Sequence, residues 1–462
     1  MTNIFSMDHN LASPAELHER AKAYFLGIKV PKNIKKAFWL WHLAADRGHG
    51  PAQFSLHIAY REGDGLKRDL NESFMWLTKA ASSGLPEAQV ILGEAYITGK
   101  PYGELNLTKA ISWLTEAAAQ GMLAAQLLLA YFYYSGDGVE RNFIKAFNYW
   151  RLGADQGHPL AQYCLGLAYK NGQGVTMDLF EAVKYWRLAA DQDDSRALCN
   201  LGLAYYVGLG LNKDQNQAVK LWLRSAKLGH FLAQYNLGLA YREGHGVKKN
   251  LIQALRFFRL SAKQGYAQAQ SSLATAYMTG HGVKKNPTKA LKFWRLAAQQ
   301  GDVMGLYNLG LAYYFGEGLK KDLAQALKYW GLAADQGNSE ALLNLGLIYF
   351  NGQGQPKDFT KAVEFWERAA DRGNCEALLN LGLIYFNGQG QPKDLVKAID
   401  FLERAAKLDN SGALFNLGLI YFNGQGRPKD LVKAIEFLER AAKLGHPLAE
   451  KKLSEIKNPT NG

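Results

Sequence analysis

Residues 230–265 read HFLAQYNLGLAYREGHGVKKNLIQALRFFRLSAKQG, and the same pattern recurs along nearly the whole chain. In its first half, Ala233, Leu237 and Tyr241 stand four residues apart, and its second half carries alanines and large apolar residues at similar intervals. Residues three or four positions apart lie on one face of an α-helix. The segment therefore predicts two amphipathic helices, helix A and helix B, joined by a turn.

Twelve such units follow one another in register. Eleven have 36 residues, and the third has 37 because its turn is lengthened at residues 100–103. The predicted repeats, numbered 1 to 12, are residues 13–48, 49–84, 85–121, 122–157, 158–193, 194–229, 230–265, 266–301, 302–337, 338–373, 374–409 and 410–445. Residues 1–12 form an N-terminal lead, and residues 446–462 are expected to form a capping helix and a tail.

A Gly-x-Gly turn separates the two helices of a repeat, as in Gly244-His245-Gly246. Glycine can take positive φ where helix A must stop and the chain must reverse. An Asp or Asn, such as Asn250, then stands where it can cap helix B. A dinucleotide loop would need a preceding strand and a third glycine, so the pair is interpreted as a turn.

Helix B combines small alanines with one large residue, such as Trp222, on one stripe. Small side chains beside a large one allow two helices to approach closely. A single helix pair cannot bury this stripe, so neighbouring units must share a continuous core. The sequence therefore predicts an all-α solenoid.

Composition excludes several other classes of protein. Apolar residues make up 48% and charged residues 21% of the 462-residue chain, which argues against extended disorder. No apolar stretch reaches the roughly 18 residues of a membrane span. Cys164, Cys199 and Cys375 are too few for a disulfide framework. Because the N-terminus also shows no secretory signal, a cytoplasmic location is predicted, although export by a specialised machine would leave no such signal.

Residues 13–445 resemble the Sel-1-like repeat family, a relative of the tetratricopeptide repeat. The resemblance rests on four patterns that follow one another within the repeats: A-x-x-x-L-G-x-x-Y, Gly-x-Gly, K-A-x-x-[WF] and AA-x-x-G. The resemblance implies a right-handed α-α superhelix, or solenoid, with helix A lining a concave surface. It also implies an adaptor or scaffold that binds other proteins or peptides.

An asparagine recurs in helix A just before the Leu-Gly pair. These residues are Asn200, Asn236, Asn308, Asn344, Asn380 and Asn416. An amide can donate to and accept from the backbone of an extended peptide. In tetratricopeptide-like groove binders an asparagine here contacts peptide, which the resemblance extends to this column. The alternative is that these amides bond to a neighbouring helix.

Aromatic residues flank the asparagine column. Tyr163, Tyr235 and Tyr307 occupy the position one residue before it, and Tyr206, Tyr314, Phe350, Phe386 and Phe422 occupy the position six residues after it. Exposed aromatic side chains would anchor a ligand in a groove. The alternative is that they pack between repeats.

Positive charge is concentrated in residues 201–300, which carry the whole net charge of +13. The candidate basic face on helix B consists of Lys220, Arg256, Arg259, Lys292 and Arg295. It would attract an acidic protein, an anionic membrane surface or nucleic acid, although a solvated helix face is the more frequent explanation of such a charge run. No basic aromatic module of a known nucleic-acid-binding kind accompanies it, which disfavours nucleic acid.

Helix B becomes acidic in the last repeats. There the carboxylates are expected to pair with arginines four residues later, as Glu364 with Arg368, Asp400 with Arg404 and Glu436 with Arg440.

Catalytic constellations are absent from the pattern. His245 and His281 occupy successive turns without a third ligand nearby, and Cys164 and Cys199 have no accompanying His and Asp. No repeat is expected to break the pattern with clustered polar residues. The sequence therefore predicts a non-catalytic protein without a metal or cofactor.

Overall fold

The computed structural model describes residues 12–457, and this part of the chain contains helices and no strands. It divides into an N-terminal unit, residues 1–230, and a C-terminal unit, residues 231–462. The N-terminal unit contains α1 (Pro14–Leu26), α2 (Ile34–Asp46), α3 (Gly50–Glu62), α4 (Leu70–Ser82), α5 (Pro86–Thr98), α6 (Leu107–Ala119), α7 (Leu123–Ser135), α8 (Phe143–Asp155), α9 (Pro159–Asn171), α10 (Leu179–Asp191), α11 (Ser195–Val207) and α12 (Gln215–Lys227).

The C-terminal unit continues with α13 (Phe231–Glu243), α14 (Leu251–Lys263), α15 (Ala267–Thr279), α16 (Pro287–Gln299), α17 (Val303–Phe315), α18 (Leu323–Asp335), α19 (Ser339–Asn351), α20 (Phe359–Ala370), α21 (Cys375–Asn387), α22 (Leu395–Lys407), α23 (Ser411–Asn423), α24 (Leu431–Lys443) and α25 (Ala449–Lys457). Odd-numbered helices up to α23 are the A helices, and even-numbered helices are the B helices. Within each unit, every helix packs against the helix before it and the helix after it. The predicted all-α solenoid is confirmed.

The C-terminal helix α25 packs on α24, at the place where the sequence predicts a cap. The predicted lead lies outside the described residues except for Ala12, and so does the predicted tail at residues 458–462.

The tyrosine that recurs in each A helix connects the two helices of its repeat. The Tyr313 ring stacks on Tyr329 of the B helix, with ring centroids 5.6 Å apart and an angle of 11° between the rings. The Tyr313 carbonyl also accepts a hydrogen bond from the backbone N–H of Asp322, the residue that caps α18, at 2.9 Å. Tyr385 and Phe401 repeat this stacking at 5.9 Å and 10°. The tyrosine is therefore retained for packing inside the repeat.

A glycine in helix A sets the distance between the paired helices. At Gly310, a Cβ atom would overlap the indole ring of Trp330. The Trp330 Nε1–H donates to the carbonyl of Tyr307 at 3.2 Å, so the ring is fixed against the backbone of helix A. Gly331, the residue after this tryptophan, has no heavy atom within 4 Å of an added Cβ.

The Gly-x-Gly turns are structural, as predicted. Gly172 ends α9 with φ of 66°, and Gly174 has φ of 75°. Gly174 lies so close to the carbonyl of Phe143, at the start of the preceding repeat's helix B, that a Cβ would overlap it. Gly210 and Gly282 likewise approach helix B of the repeat before them, whereas Gly103 in the lengthened turn of repeat 3 has open space at this point.

The turn that closes each repeat also takes positive φ. Asp193 and Asp409 stand where ten other repeats have glycine, with φ of 58° and 55°. Arg224 in the next repeat binds Asp193 at 2.7 Å, and Arg440 binds Asp409 at 3.2 Å. These ion pairs connect consecutive repeats within a unit.

The expected pairing of acidic side chains along helix B is wrong for two of three pairs. Arg404 and Asp400 lie 3.9 Å apart, as expected. Arg440 instead binds Asp409, and Arg368 lies 3.9 Å from Asp335 of the preceding repeat. The arginine side chain is long enough to reach the closing turn of its neighbour, which spacing within one helix does not reveal.

Candidate partner-binding surfaces

The six asparagines of the predicted column are all half-buried at the same position of an A helix. Asn308 donates from Nδ2 to the carbonyl of Met304 at 2.8 Å, and Asn416 donates in the same way to Gly412 at 2.7 Å. Both bonds stay within the helix that carries the asparagine. Because a carbonyl can only accept, each bond fixes the amide orientation and directs Oδ1 the other way. The amide is therefore held in one orientation at the helix surface.

The predicted residues are divided between the two units. Asn200, Tyr163, Tyr206 and Lys220 belong to the N-terminal unit. The other members of the asparagine column, of the flanking aromatic set and of the basic face belong to the C-terminal unit.

The aromatic residues after the asparagines pack inside their own repeats. Tyr206 lies against Trp222 with ring centroids 5.5 Å apart, and Tyr314 lies against Trp330 at 5.3 Å. The Tyr314 hydroxyl also donates to Oε1 of Gln353 in the next repeat at 2.8 Å. These rings fill the space between the A and B helices, while their edges remain partly accessible.

The aromatic residues before the asparagines have more varied surroundings. Tyr163 lies beneath the guanidinium of Arg196, 5.0 Å from its ring centroid. Burial raises the pKa of Tyr307. Tyr235 packs on Phe258 and Tyr266, with centroids 5.8 Å and 5.1 Å apart, and it lines a pocket.

This pocket lies in the C-terminal unit between α13, α14, α15 and α17, and has a volume of about 570 Å³. Its floor is formed by Ala254, Leu255 and Phe258 of α14, each no more than 3% exposed. Its rim includes exposed residues such as Thr275 and Met304. The pocket is therefore a depression that opens on the surface of the A helices.

The pocket arises where α15 departs from the repeat. Repeats 7 and 9 carry Tyr-Asn-Leu-Gly-Leu, whereas repeat 8 carries Ser271-Ser272-Leu273-Ala274-Thr275. The expectation that no repeat breaks the pattern with clustered polar residues is wrong here. The sequence analysis missed this site because it compared the repeats for residues that recur. The signal that could have revealed it is the group of short polar residues in repeat 8.

One end of the pocket is a hydrogen-bonded cluster. The Ser271 hydroxyl donates to Oδ2 of Asp302, and the same oxygen accepts from the backbone N–H of Gly305 at 2.7 Å. Asp302 is thus both the cap of α17 and the partner of Ser271. Its carboxylate is already engaged by two donors.

The predicted basic face is exposed on the B helices. Arg256 and Arg259 on α14 occupy the same positions as Lys292 and Arg295 on α16, and Lys220 has the position of Arg256 on α12. All five are exposed, and none lies within 4.0 Å of an acidic group among residues 12–457. Their charge is not neutralised by an ion pair in that part of the chain.

Reactive groups of other kinds are not assembled in the described chain. Burial raises the pKa of the Cys164 and Cys199 thiols to about 12, which disfavours the thiolate that a nucleophile requires. Residues 12–457 contain no group of three or more His, Cys, Asp or Glu side chains that could hold a metal ion. No helix in that range is long and apolar enough to cross a membrane.

A buried polar cluster in the N-terminal unit unites three departures from the repeat. Ser73 replaces the alanine of the other repeats, His57 replaces the usual glycine, and Tyr102 belongs to the lengthened turn of repeat 3. The Ser73 hydroxyl lies 3.0 Å from Nδ1 of His57 and 3.1 Å from the Tyr102 hydroxyl. Because His57 is fully buried, the cluster holds repeats 2 and 3 together, whereas Tyr102 is half-buried and also lines a surface pocket beside Pro101.

Helix pairs stacked in this way define an α-solenoid repeat protein. The Sel1 repeat model matches twelve segments of the chain, residues 17–49, 51–85, 86–122, 123–158, 159–194, 195–230, 232–266, 267–302, 303–338, 339–374, 375–410 and 411–446. The chain therefore belongs to the Sel1 repeat family, as the sequence resemblance predicted.

Two solved structures are similar to the chain. One is c5321, a protective antigen present in uropathogenic Escherichia coli strains that displays an SLR fold. It is 32% identical with a TM-score of 0.74, and the match covers 92% of this chain and 91% of that one. The other is a Sel1 repeat protein from Oxalobacter formigenes, 32% identical with a TM-score of 0.51, covering 66% and 87%. Repeat proteins of this kind generally mediate protein–protein interactions and are generally non-catalytic.

Proposed function

We propose that this chain is a non-catalytic, cytoplasmic scaffold that binds a peptide or protein partner on the surface of its A helices. The observation that supports this function best is the asparagine column, in which the Asn308 and Asn416 amides are each held by a bond to their own helix. A fixed amide can pair with a peptide backbone without losing side-chain freedom on binding. The asparagine recurs in each of the consecutive repeats 9 to 12, which suits an extended ligand, whose backbone groups also recur.

The basic face on the B helices would recruit the scaffold to a negatively charged partner. Arg256, Arg259, Lys292 and Arg295 are exposed and without ion pairs among residues 12–457. Such a surface attracts an acidic partner over long distances, and salt screens that attraction. It favours an acidic protein or an anionic membrane surface over nucleic acid, since no base-stacking aromatic module accompanies it.

The asparagine column is tested by affinity capture with the full chain, followed by mass spectrometry. The variant carries Asn236→Ala, Asn308→Ala and Asn344→Ala. The matched control carries Gln299→Ala, Gln389→Ala and Gln425→Ala, which remove three exposed amides outside the A helices. Loss of partners in the asparagine variant alone is expected, and an unchanged partner list would refute the proposed surface.

The basic face is tested with Arg256→Glu, Lys292→Glu and Arg295→Glu. These exposed side chains make no ion pairs within the described range, so the helical signal and melting temperature should stay nearly unchanged. Partner capture should weaken, and it should weaken most at low salt. Capture that responds neither to the variant nor to salt would identify this surface as a solvated helix face only.

A further inference from the structure

We propose that the pocket at repeat 8 is the specificity site of the scaffold and receives an acidic side chain and a neighbouring apolar side chain of a partner peptide. The inference rests on the proposed function, because it assumes a peptide on the A helices. The inference adds where on the scaffold one peptide sequence is distinguished from another, and which side chains of the peptide are recognised there.

The pocket is created by the loss of three large side chains from one helix. Ser271 and Ser272 replace the Tyr-Asn pair of repeats 7 and 9, and Thr275 replaces their leucine. The resulting volume of about 570 Å³ lies within the roughly 300–1,000 Å³ of ligand pockets. Among repeats 7 to 12, repeat 8 alone lacks the asparagine, and a pocket lies in its place.

The apolar part of the ligand has a defined place. Leu255 and Phe258 form a floor that is 3% and 2% exposed, and Tyr235 forms one wall. The hydroxyl groups of Ser272 and Thr275 lie on the opposite wall, along α15. The Thr275 hydroxyl donates to the carbonyl of Ser271 at 3.0 Å, so it can only accept a further hydrogen bond. An apolar side chain can thus rest on the floor while the Ser272 and Thr275 hydroxyls meet the peptide backbone, Thr275 as an acceptor.

Two cationic side chains lie at the end of the pocket where α15 finishes. Arg242 and Lys249 line this end and are exposed, and His281 also lines it. Glu243 also lines the pocket, and it accepts from Nε of Arg242 at 2.6 Å. Lys249 makes no ion pair within the described range. A ligand carboxylate is therefore complementary to this end.

The other end of the pocket repels a second carboxylate. Asp302 lies there and is already held by Ser271 and Gly305. The eight-residue interval from Ser271 to Thr279 separates the ends by about 12 Å, at 1.5 Å per helical residue. The charge difference between the ends therefore orients the ligand, with its acid toward Lys249.

The pocket is tested by filling it with the residues that its neighbours use. Ser272→Asn with Thr275→Leu restores the side chains of repeats 7 and 9 and leaves the bond between Ser271 and Asp302 intact. The matched control makes the reverse exchange at one position of repeat 11, with Leu383→Thr, and leaves Asn380 of the asparagine column in place. A third variant, Lys249→Glu, reverses the charge at the cationic end.

The probe is a library of random linear peptides displayed on phage and selected on the full wild-type chain. We expect selected peptides to carry Asp or Glu beside an aromatic or aliphatic residue. Filling the pocket should raise their Kd about tenfold or more, as for loss of a central anchor. Lys249→Glu should also raise the Kd of these peptides. The repeat 11 control should change their Kd less than the filled pocket does.

Three results would overturn the inference. Peptides without acidic residues would refute the assigned chemistry. Peptides whose Kd responds to the repeat 11 variant and ignores the filled pocket would refute the pocket and leave the proposed function standing. A wild-type chain that selects no peptide would refute both. Circular dichroism verifies the fold of each variant, and Thr275→Leu alone replaces the double variant if the latter is unfolded.

Discussion

Replacing Gly310 by alanine tests the contact that positions each A helix on its B helix. The added methyl group would overlap the Trp330 indole ring and push it away from the Tyr307 carbonyl. Overpacking costs about 1–3 kcal/mol, and the lost hydrogen bond costs about 1 kcal/mol. Better helix propensity returns about 1 kcal/mol. We therefore expect Gly310→Ala to destabilise the chain by about 1–3 kcal/mol.

The adjacent helix supplies a matched control. Gly331 has open space around its missing Cβ, so Gly331→Ala should stabilise the chain by about 0.5–1 kcal/mol through propensity alone. Repeat 8 has Ala274 opposite Trp294, so the array tolerates alanine here once the ring moves. We therefore expect Gly310→Ala to lower the free energy of unfolding while the chain still folds.

Urea denaturation followed by far-ultraviolet circular dichroism measures both variants against wild type. The midpoint for Gly310→Ala should fall below that of wild type, and the midpoint for Gly331→Ala should lie at or above it. If Gly310→Ala proved as stable as Gly331→Ala, the glycine would not be required by the tryptophan. The packing argument would then be refuted.

Ser73→Ala should destabilise the N-terminal unit by about 1 kcal/mol, although alanine occupies this position in the other repeats, because it removes the hydroxyl shared by His57 and Tyr102 while Nδ1 of His57 keeps its bond to the Ser73 carbonyl. Adding Tyr102→Phe should recover part of that loss in the same urea assay, and a neutral Ser73→Ala would contradict the cluster's role. Burial lowers the pKa of His18 from 6.5 to about 4 and also lowers the pKa of His57, so the folded state disfavours protonation. Stability from these groups should be complete above pH 6.5 and should decline as pH falls from 6.5 toward 4. The urea midpoint should follow that decline, less steeply in His18→Gln, and a midpoint independent of pH would count against the burial.

The recurring features of the fold could be predicted from sequence because each appears in ten or more of the twelve repeats. Helical spacing, the Gly-x-Gly turn and the Asp or Asn cap are local signals. Their recurrence at the same positions of successive repeats strengthens each prediction. The close approach of Gly310 to Trp330 follows the same logic, since small and large residues alternate between paired helices. Local rules thus determine the repeat.

Side-chain contacts between repeats were not predictable in this way. The partners Ser73 and Tyr102 stand 29 residues apart, and Arg440 reaches Asp409 across 31 residues. Such contacts depend on how neighbouring repeats are placed, which periodicity within a helix does not specify. The pocket is a comparable case, because comparison of repeats highlights what they share and Ser271 and Ser272 are exceptions.

The contact between Gly174 and the preceding repeat has a consequence for how such a protein can change length during evolution. Because the Gly-x-Gly turns after Gly174, such as those at Gly210 and Gly282, also pack against helix B of the repeat before them, an inserted whole repeat reproduces these contacts at both of its borders. A single inserted residue, by contrast, has no matching residue in the neighbouring repeat to pack against. The one lengthened turn in this chain, at residues 100–103, is accompanied by Ser73 and His57 in the repeat before it. Repeats 2 and 3 should therefore be inherited, deleted or transplanted only as a pair, whereas repeats 10 and 11, which share an identical run of residues, can be gained or lost singly.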